Sequence, residues 1–410
     1  MTRKKHFYLV LILGTLTALG PFSIDMYLPG FPAMAKYLHT DVPGVALSLS
    51  SFFIGLACGQ LLYGPLLDKY GRKKPLYIGL CVYIVASVGC AFAHSLQMLI
   101  AVRLIQAIGS CAAAVAAMAM VRDLFPVNEN AKIFALLMLV VGASPMIAPT
   151  VGGYVTEGAG WQWVFIILAI MALLILLAVI FVLPDSFVPD KGLSLAPGNI
   201  ISGFLTVFKN PQFYTYTFTG SFAIAGLFAY VSGSPQVFME VYHLDEKTYG
   251  WIFAGLSVAL IGASQLNSLL LKKYKSDEIM KVSLTIQAIV SIIFFAWAST
   301  GVLSLTITIV MLFLFLACVG FTNPNAIALT LAPFSKNAGT ASSLFGALQL
   351  GIGSVVTMSI GWFKAEPVTI LAAVMCATAL LAFLVYFISK WVNRGRFIEV
   401  DNVDAVAAVH

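Results

Sequence analysis

The sequence predicts an all-α membrane protein of twelve transmembrane helices in two pseudo-symmetric six-helix bundles, and three observations carry that expectation. First, the 410 residues are 60% hydrophobic and only 10% charged, with a mean hydropathy of +0.96. Soluble domains are about 45–50% apolar and about 25% charged. Second, the charges gather between apolar runs of about 20 residues, the length that crosses a bilayer as helix. A transmembrane barrel would instead alternate apolar and polar residues over strands of about 10 positions. Third, the longest polar interval, 184–210, divides the runs six and six.

Each run is bounded by charge or by a turn signal. The first, 7–32, follows Arg3, Lys4 and Lys5 and carries Asp25. The second, 44–66, ends at the basic loop Lys69 to Lys74, from which the third, 75–94, departs. The fourth, 96–121, carries Arg103 and stops at Arg122; the fifth, 131–156, starts at Lys132 and is rich in small residues, among them Gly142, Gly152 and Gly153. The sixth, 161–183, is apolar up to Pro184. Beyond the interval, the seventh run, 211–239, follows Lys209, and the eighth, 247–271, ends at Lys272, Lys273 and Lys275. The ninth, 279–299, and tenth, 302–330, lead to the eleventh, 337–362, where Gly346, Gly351 and Gly353 repeat the small-residue pattern of the fifth. The twelfth, 367–391, runs into Lys390, Arg394 and Arg396. The expected organisation is a bundle over 1–183, a cytoplasmic linker over 184–210, a second bundle over 211–392 and a cytoplasmic tail over 393–410.

Of 23 lysines and arginines, only Lys36, Lys247 and Lys364 fall on the outer side, and Arg103 lies inside a run; all the others fall on the opposite side. Cytoplasmic loops carry the excess of basic residues, so both termini are expected inside. The net charge of +6 therefore reads as a topology signal and as contact with anionic lipid, not as nucleic-acid binding. Ala33, Met34 and Ala35 resemble a signal-peptidase site, but the preceding run is too long for a signal peptide and carries Asp25. The six cysteines all fall inside the runs without a CxxC pair or a histidine at ligand spacing, so neither a disulfide framework nor a metal site is expected. None of the five histidines forms an HExxH motif and no second interior acid pairs with Asp25, which argues against an intramembrane enzyme and leaves no catalytic residue to assign. Two six-helix halves point to a secondary transporter whose site lies between them.

Residues 64–76 read GPLLDKYGRKKPL, with Gly64 suited to close helix approach, Gly71 to a tight turn, and Asp68 placed to accept hydrogen bonds from Arg72 or Arg122. Residues 144–153 read SPMIAPTVGG, where Pro149 kinks the helix and Gly152 and Gly153 admit another helix closely. Residues 103–109 read RLIQAIG and residues 23–32 read SIDMYLPGFP. The first pattern resembles the GxLaDrxGRkxxl signature of the major facilitator superfamily. The second resembles the helix-5 motif of that superfamily's proton-driven antiporters, with Ala148 in place of a glycine, and the third its RxxqGxg motif, with Ala107 in place of a glycine. Together with the first-helix segment, and with Gly233 to Pro235, Asn323 to Asn325 and Ala338 to Ser343, they resemble the bicyclomycin/chloramphenicol-resistance (Bcr/CflA) branch over nearly the whole chain.

The resemblance implies a drug:proton antiporter of the bacterial inner membrane, working by alternating access as a monomer. It implies no cofactor, with protons as the coupling ion, and a small amphiphilic drug-like or metabolite substrate. It also implies a cytoplasmic latch carried by Asp68, Arg72 and Arg122. The alternative is a proton-coupled transporter of one metabolite, a nucleobase, amino acid or siderophore, with incidental drug efflux.

Asp25 is the one acid well inside a run, and a buried intramembrane acid marks an ion or substrate pathway. Counted along unbroken helices at 1.5 Å per residue, Asp25 and Arg103 lie at one depth, roughly 10 Å in, so the two are expected to pair. They form either a coupling site, in which Asp25 exchanges a proton for substrate, or a structural ion pair. Candidate pocket residues are Tyr27, Gln60, Gln106, Met118, Phe222, Phe228, Tyr230, Gln236, Asn267, Asn325 and Gln349, an aromatic and amide set that suits amphiphilic ligands.

Overall fold

The computed structural model describes residues 3–185, 187, 197–334, 338–393 and 397. Among them the secondary structure is entirely helical, without a strand. Among the described residues twelve helical stretches are long and apolar enough to cross a membrane, from His6–Tyr37 to Pro367–Val392. The chain divides into two compact units: Met1–Asn199 with Asp245–Trp251, and Ile200–Leu244 with Ile252–Val409.

The first unit holds α1 (Arg3–Asp25), α2 (Phe31–Tyr37), α3 (Val42–Tyr70), α4 (Lys73–Ala91), α5 (Leu96–Leu124), α6 (Val127–Ala159) and α7 (Trp161–Phe181). Side-chain caps fix two of the starts. Asp41 accepts from the Gly44 amide at 2.8 Å and Ser95 from the Met98 amide at 3.2 Å. α5 is the central helix, with α3 and α4 along its two flanks. Lipid gives no hydrophobic drive for helices to associate, so close backbone approach through small residues must supply the packing. A Cβ on Gly55 of α3 would stand 2.5 Å from the Leu104 carbonyl oxygen and 2.7 Å from the Ala107 Cβ; one on Gly109 would meet the Gly79 carbonyl oxygen at 2.6 Å. Ala107, where the motif has glycine, still allows close contact because Gly55 faces it.

The second unit holds, apart from the first residues of α8 and α10, α8 (Pro197–Phe208), α9 (Pro211–Pro235), α10 (Glu246–Leu270), α11 (Ser276–Ala298), α12 (Leu305–Leu331), α13 (Ala338–Ser359) and α14 (Pro367–Val392). Here α9 is central, with α12, α13 and α14 around it. Gly220 faces Ala326, Gly226 the Phe315 ring and Gly353 the Phe228 ring.

Three features depart from the sequence-based expectations. The first apolar run is not one helix: α1 stops at Asp25, a 3-10 turn covers Leu28–Gly30, and α2 carries the span on to Tyr37. Pro29 and Pro32 lack amide protons and restrict the residues before them, which breaks the ladder. In the second unit, α9 likewise ends at Pro235 and passes into a π-helical turn, Gln236–Val241. Finally, the expected linker contains a helix, α8, whose Val207 is buried against Phe213, Ala341 and Phe345.

The small-residue seam yields a paired expectation. Gly55→Ala lowers the melting temperature of the detergent-solubilised protein, because its Cβ meets backbone that cannot yield. Gly262→Ala, at a position with nothing within 4 Å, leaves melting unchanged or slightly raised, since alanine is the better helix former. Equal melting of the two variants contradicts this packing.

Candidate functional site

The buried charge of the first unit is held by a cage of aromatic rings and neutral acceptors. Arg103, on α5, has no exposure to solvent. Its Nη1 donates to Gln106 Oε1 at 2.6 Å and its Nη2 to the Ser23 carbonyl at 3.0 Å. The guanidinium carbon lies 4.2 Å from the ring centre of Tyr27, 4.1 Å from Phe52 and 5.7 Å from Phe165. Ring faces carry negative quadrupolar potential, so they stabilise a cation without bringing a second charge into lipid.

The cage extends across α1, α4 and α5 in one hydrogen-bonded chain. Gln106 Nε2 donates to Ser87 Oγ at 2.7 Å, and Ser87 donates on to the Tyr83 carbonyl at 2.7 Å. Ser23 Oγ donates to the Leu19 carbonyl at 2.6 Å, so its 2.6 Å contact with Tyr83 is donated by the phenol. Tyr27 reaches Ser48 of α3 at 3.3 Å. Ser23, Tyr83, Ser87, Phe52 and Phe165 were not among the sequence candidates; the polar pair Tyr83 and Ser87, one turn apart in an apolar run, was the available signal.

The expected Asp25–Arg103 ion pair does not form. Both residues are buried, Asp25 at 5% exposure, but the guanidinium takes the carbonyl of Ser23 instead. The helix break explains the choice. Carbonyls in the last turn of α1 have no intrahelical partner, and Ser23 supplies one of them to Arg103. Equal depth holds only for a helix continuous to residue 32, whereas the span runs through a break to Tyr37. Among the described residues the Asp25 carboxyl has no hydrogen bond and no ion pair. Its backbone is nevertheless fixed on both sides: Arg103 holds Ser23, and Gly152 of α6 presses on Met26, where a Cβ would collide with the carbonyl oxygen. Gly153 faces the Glu246 carbonyl in the segment Asp245–Trp251 of the same unit, and Pro149 lies within α6 one turn earlier.

The remaining pocket candidates divide by environment. Tyr27 and Gln106 belong to the Arg103 cage. Within the second unit, Asn325 Nδ2 donates to Asn267 Oδ1 at 2.7 Å, both side chains being buried. Tyr230 is buried and stacked on Phe253 at 5.2 Å, five residues before Pro235 ends α9. Gln349 donates to Asn323 Oδ1 at 3.2 Å, Phe228 packs on Gly353, and Phe222 stacks on Phe218. Gln60, Met118 and Gln236 are half-buried.

At the end of α3, Gly71 adopts φ +82°, a backbone conformation that favours glycine, and it follows the helix carrying Gly64. Arg72 then bonds Asp68 at 2.6 Å and Asp123 at 2.8 Å and lies 3.9 Å from the Phe187 ring centre. Burial alone would lower the Arg72 pKa, but the hydrogen bonds and charges of Asp123 and Asp68 outweigh it and raise the value. Arg122, expected in this cluster, is exposed and makes no ion pair among the described residues. Its neighbour Asp123 takes the position instead, because one residue along a helix turns the side chain about 100°.

The chain matches the Major Facilitator Superfamily over residues 13–358. It is 32% identical over 391 residues to YdgK, an uncharacterised MFS-type transporter of Bacillus subtilis, covering 94% of this chain and 96% of that one. It is 29% identical over 387 residues to a bicyclomycin resistance protein homolog of Haemophilus influenzae, again covering 94% and 96%. In fold it resembles a bacterial homolog of the human lysosomal transporter Spinster, crystallised in an inward-facing and occupied conformation, with a TM-score of 0.76 at 14% identity over 97% of this chain and 100% of that one.

The cage makes Gln106 the residue whose loss exposes the cost of the buried charge. Gln106→Leu leaves a guanidinium N–H unbonded and is expected to destabilise the first unit by about 2 kcal/mol, read as a lower melting temperature in detergent. Gln106→Glu retains an acceptor and melts higher than Gln106→Leu. Wild-type melting of Gln106→Leu contradicts the cage.

Proposed function

Because this chain belongs to the major facilitator superfamily, within its bicyclomycin/chloramphenicol-resistance branch, we propose that it is a proton-coupled exporter of small amphiphilic compounds, with Asp25 as the proton-carrying group. That it is a multi-pass membrane transporter and not an enzyme follows from its relatives. The single observation that supports the finer reading is the buried Asp25 carboxyl, held by its backbone and without a partner among the described residues.

An ionised carboxylate at that position has neither a cation nor a donor, so its occupant must come from outside the protein: a proton, or a substrate presenting a cation or hydrogen-bond donor. Arg103 is engaged through both Nη atoms by Gln106 and Ser23 and surrounded by the three rings, while its Nε–H has no hydrogen-bond partner among the described residues, and it acts as a positioning residue for the end of α1. In the export cycle, Asp25 takes a proton from the outer side. Substrate arriving from the cytoplasm displaces that proton inward, and the loaded carrier releases substrate outside on reprotonation. One proton moving down 100 mV supplies about 2.3 kcal/mol, enough for a gradient of about fifty-fold in a neutral cargo. The broken helices α1 and α9 support the same placement, since Pro- and Gly-interrupted spans in corresponding positions of two halves mark transporter sites. The reading includes a monomeric carrier in the bacterial inner membrane, both termini cytoplasmic as the basic loops indicate, and protons as the only coupling species. It also includes a cytoplasmic latch in which Arg72 bridges Asp68 and Asp123.

In proteoliposomes with an imposed pH gradient, Asp25→Asn abolishes concentrative transport of chloramphenicol- or bicyclomycin-type compounds but retains substrate–substrate exchange. Proton competition also has a definite sign: the wild-type apparent Kd rises as pH falls, by up to about tenfold per unit for one proton, and the Asp25→Asn value stays flat. Gradient-driven accumulation by Asp25→Asn overturns the assignment, and accumulation of only a nucleobase or amino acid by the wild type replaces the drug cargo with a metabolite.

A further inference from the structure

We propose that the cleft between the start of α11 and the end of α14 is a binding site for the headgroup of an anionic phospholipid. A cavity of about 550 Å³ lies there, walled by Asp277 and Lys281 of α11, Tyr386, Lys390 and Trp391 of α14, and Phe397 beyond it. It is distinct from the Arg103 cage and independent of the transport reading.

The charges in the cleft do not cancel. Both oxygens of Asp277 are engaged: Oδ1 accepts from the Tyr216 hydroxyl at 2.8 Å and the Tyr386 hydroxyl at 3.0 Å, and Oδ2 from Lys390 Nζ at 2.5 Å. Lys390 therefore balances Asp277, and the Phe397 ring, 5.4 Å from its Nζ, closes over the pair. Lys281, one helical turn beyond Asp277, is exposed and makes no ion pair among the described residues. Among the described residues one ammonium on the wall of the cavity remains without a counter-charge, and a phosphodiester supplies the missing negative charge.

The surroundings select a lipid over a free anion. Trp391 is 69% exposed at the last turn of α14, the placement of aromatic anchors at a membrane interface. Along the same two helices, Val282 and Ile286 of α11 and Leu384 and Ile388 of α14 are exposed and apolar, which suits lipid contact on these helices. A zwitterionic headgroup brings its own ammonium to compete with Lys281 and gains nothing from it, so the site favours a net-negative lipid. One lysine at a membrane surface corresponds to a preference of about fivefold.

The full-length protein is reconstituted in vesicles whose phosphatidylglycerol or phosphatidylcholine carries brominated acyl chains, and Trp391 emission is taken as the difference between wild type and Trp391→Phe. Brominated phosphatidylglycerol is expected to quench Trp391 with about fivefold higher relative association than brominated phosphatidylcholine. Lys281→Gln brings the ratio to about one and Lys281→Arg restores it; both changes are at an exposed side chain, so folding is preserved. A wild-type ratio of one overturns the proposal, as does a ratio that survives Lys281→Gln. Loss of the preference on adding millimolar inorganic phosphate shows a free-anion site instead and also overturns it.

Discussion

A guanidinium buried among helices in lipid needs acceptors for its N–H groups and a negative field for its charge, and at Arg103 the two Nη atoms and the charge are served by neutral groups, with Nε–H left unbonded among the described residues. Gln106 and the Ser23 carbonyl take the hydrogen bonds, and Tyr27, Phe52 and Phe165 surround the plane. A carboxylate would have been the simpler partner, and Asp25 is only two residues from Ser23. Had Asp25 paired with Arg103, the one deeply placed acid of the first unit would have been held as a structural anion. Holding the guanidinium through its two Nη atoms elsewhere leaves that carboxyl available.

The same arrangement explains why α1 must end where it does. The break before Pro29 frees the Ser23 carbonyl for Arg103, and the absence of a side chain at Gly152 lets α6 approach the Met26 carbonyl. Cage, break and glycine form one mechanical unit that fixes the backbone around Asp25 while leaving its side chain unbonded. The antiporter-like motif on α6 thus has a physical role here: Gly152 seats the end of α1, and a larger residue there would displace it.

Much of the architecture was legible in the sequence because the bilayer imposes it. Apolar runs of helix-spanning length gave twelve spans, and the rarity of interior charge singled out Asp25 and Arg103. The break after Asp25 was missed because prolines are tolerated within transmembrane helices when neighbours satisfy the freed backbone groups, so Pro29 did not by itself announce a stop. The break also removes the equal depth of Asp25 and Arg103 on which an ion pair depends, because α1 does not continue to residue 32. Asp123 was overlooked in favour of Arg122 because loop charges one residue apart look interchangeable until the helix fixes which side faces Arg72. α8 was hidden by the charged ends of its interval, and the Asp277 cluster by distance, for Tyr216, Asp277 and Tyr386 lie on three helices far apart in sequence.

The central claim is that one carboxyl, Asp25, is emptied of its proton by substrate. Substrate-induced difference infrared spectroscopy of the membrane-reconstituted protein observes that carboxyl directly. The account predicts a negative band in the protonated-carboxyl C=O region when substrate is added, with a matching gain of carboxylate absorption, both absent in Asp25→Asn. No change in that region, or the same change in Asp25→Asn, would contradict it.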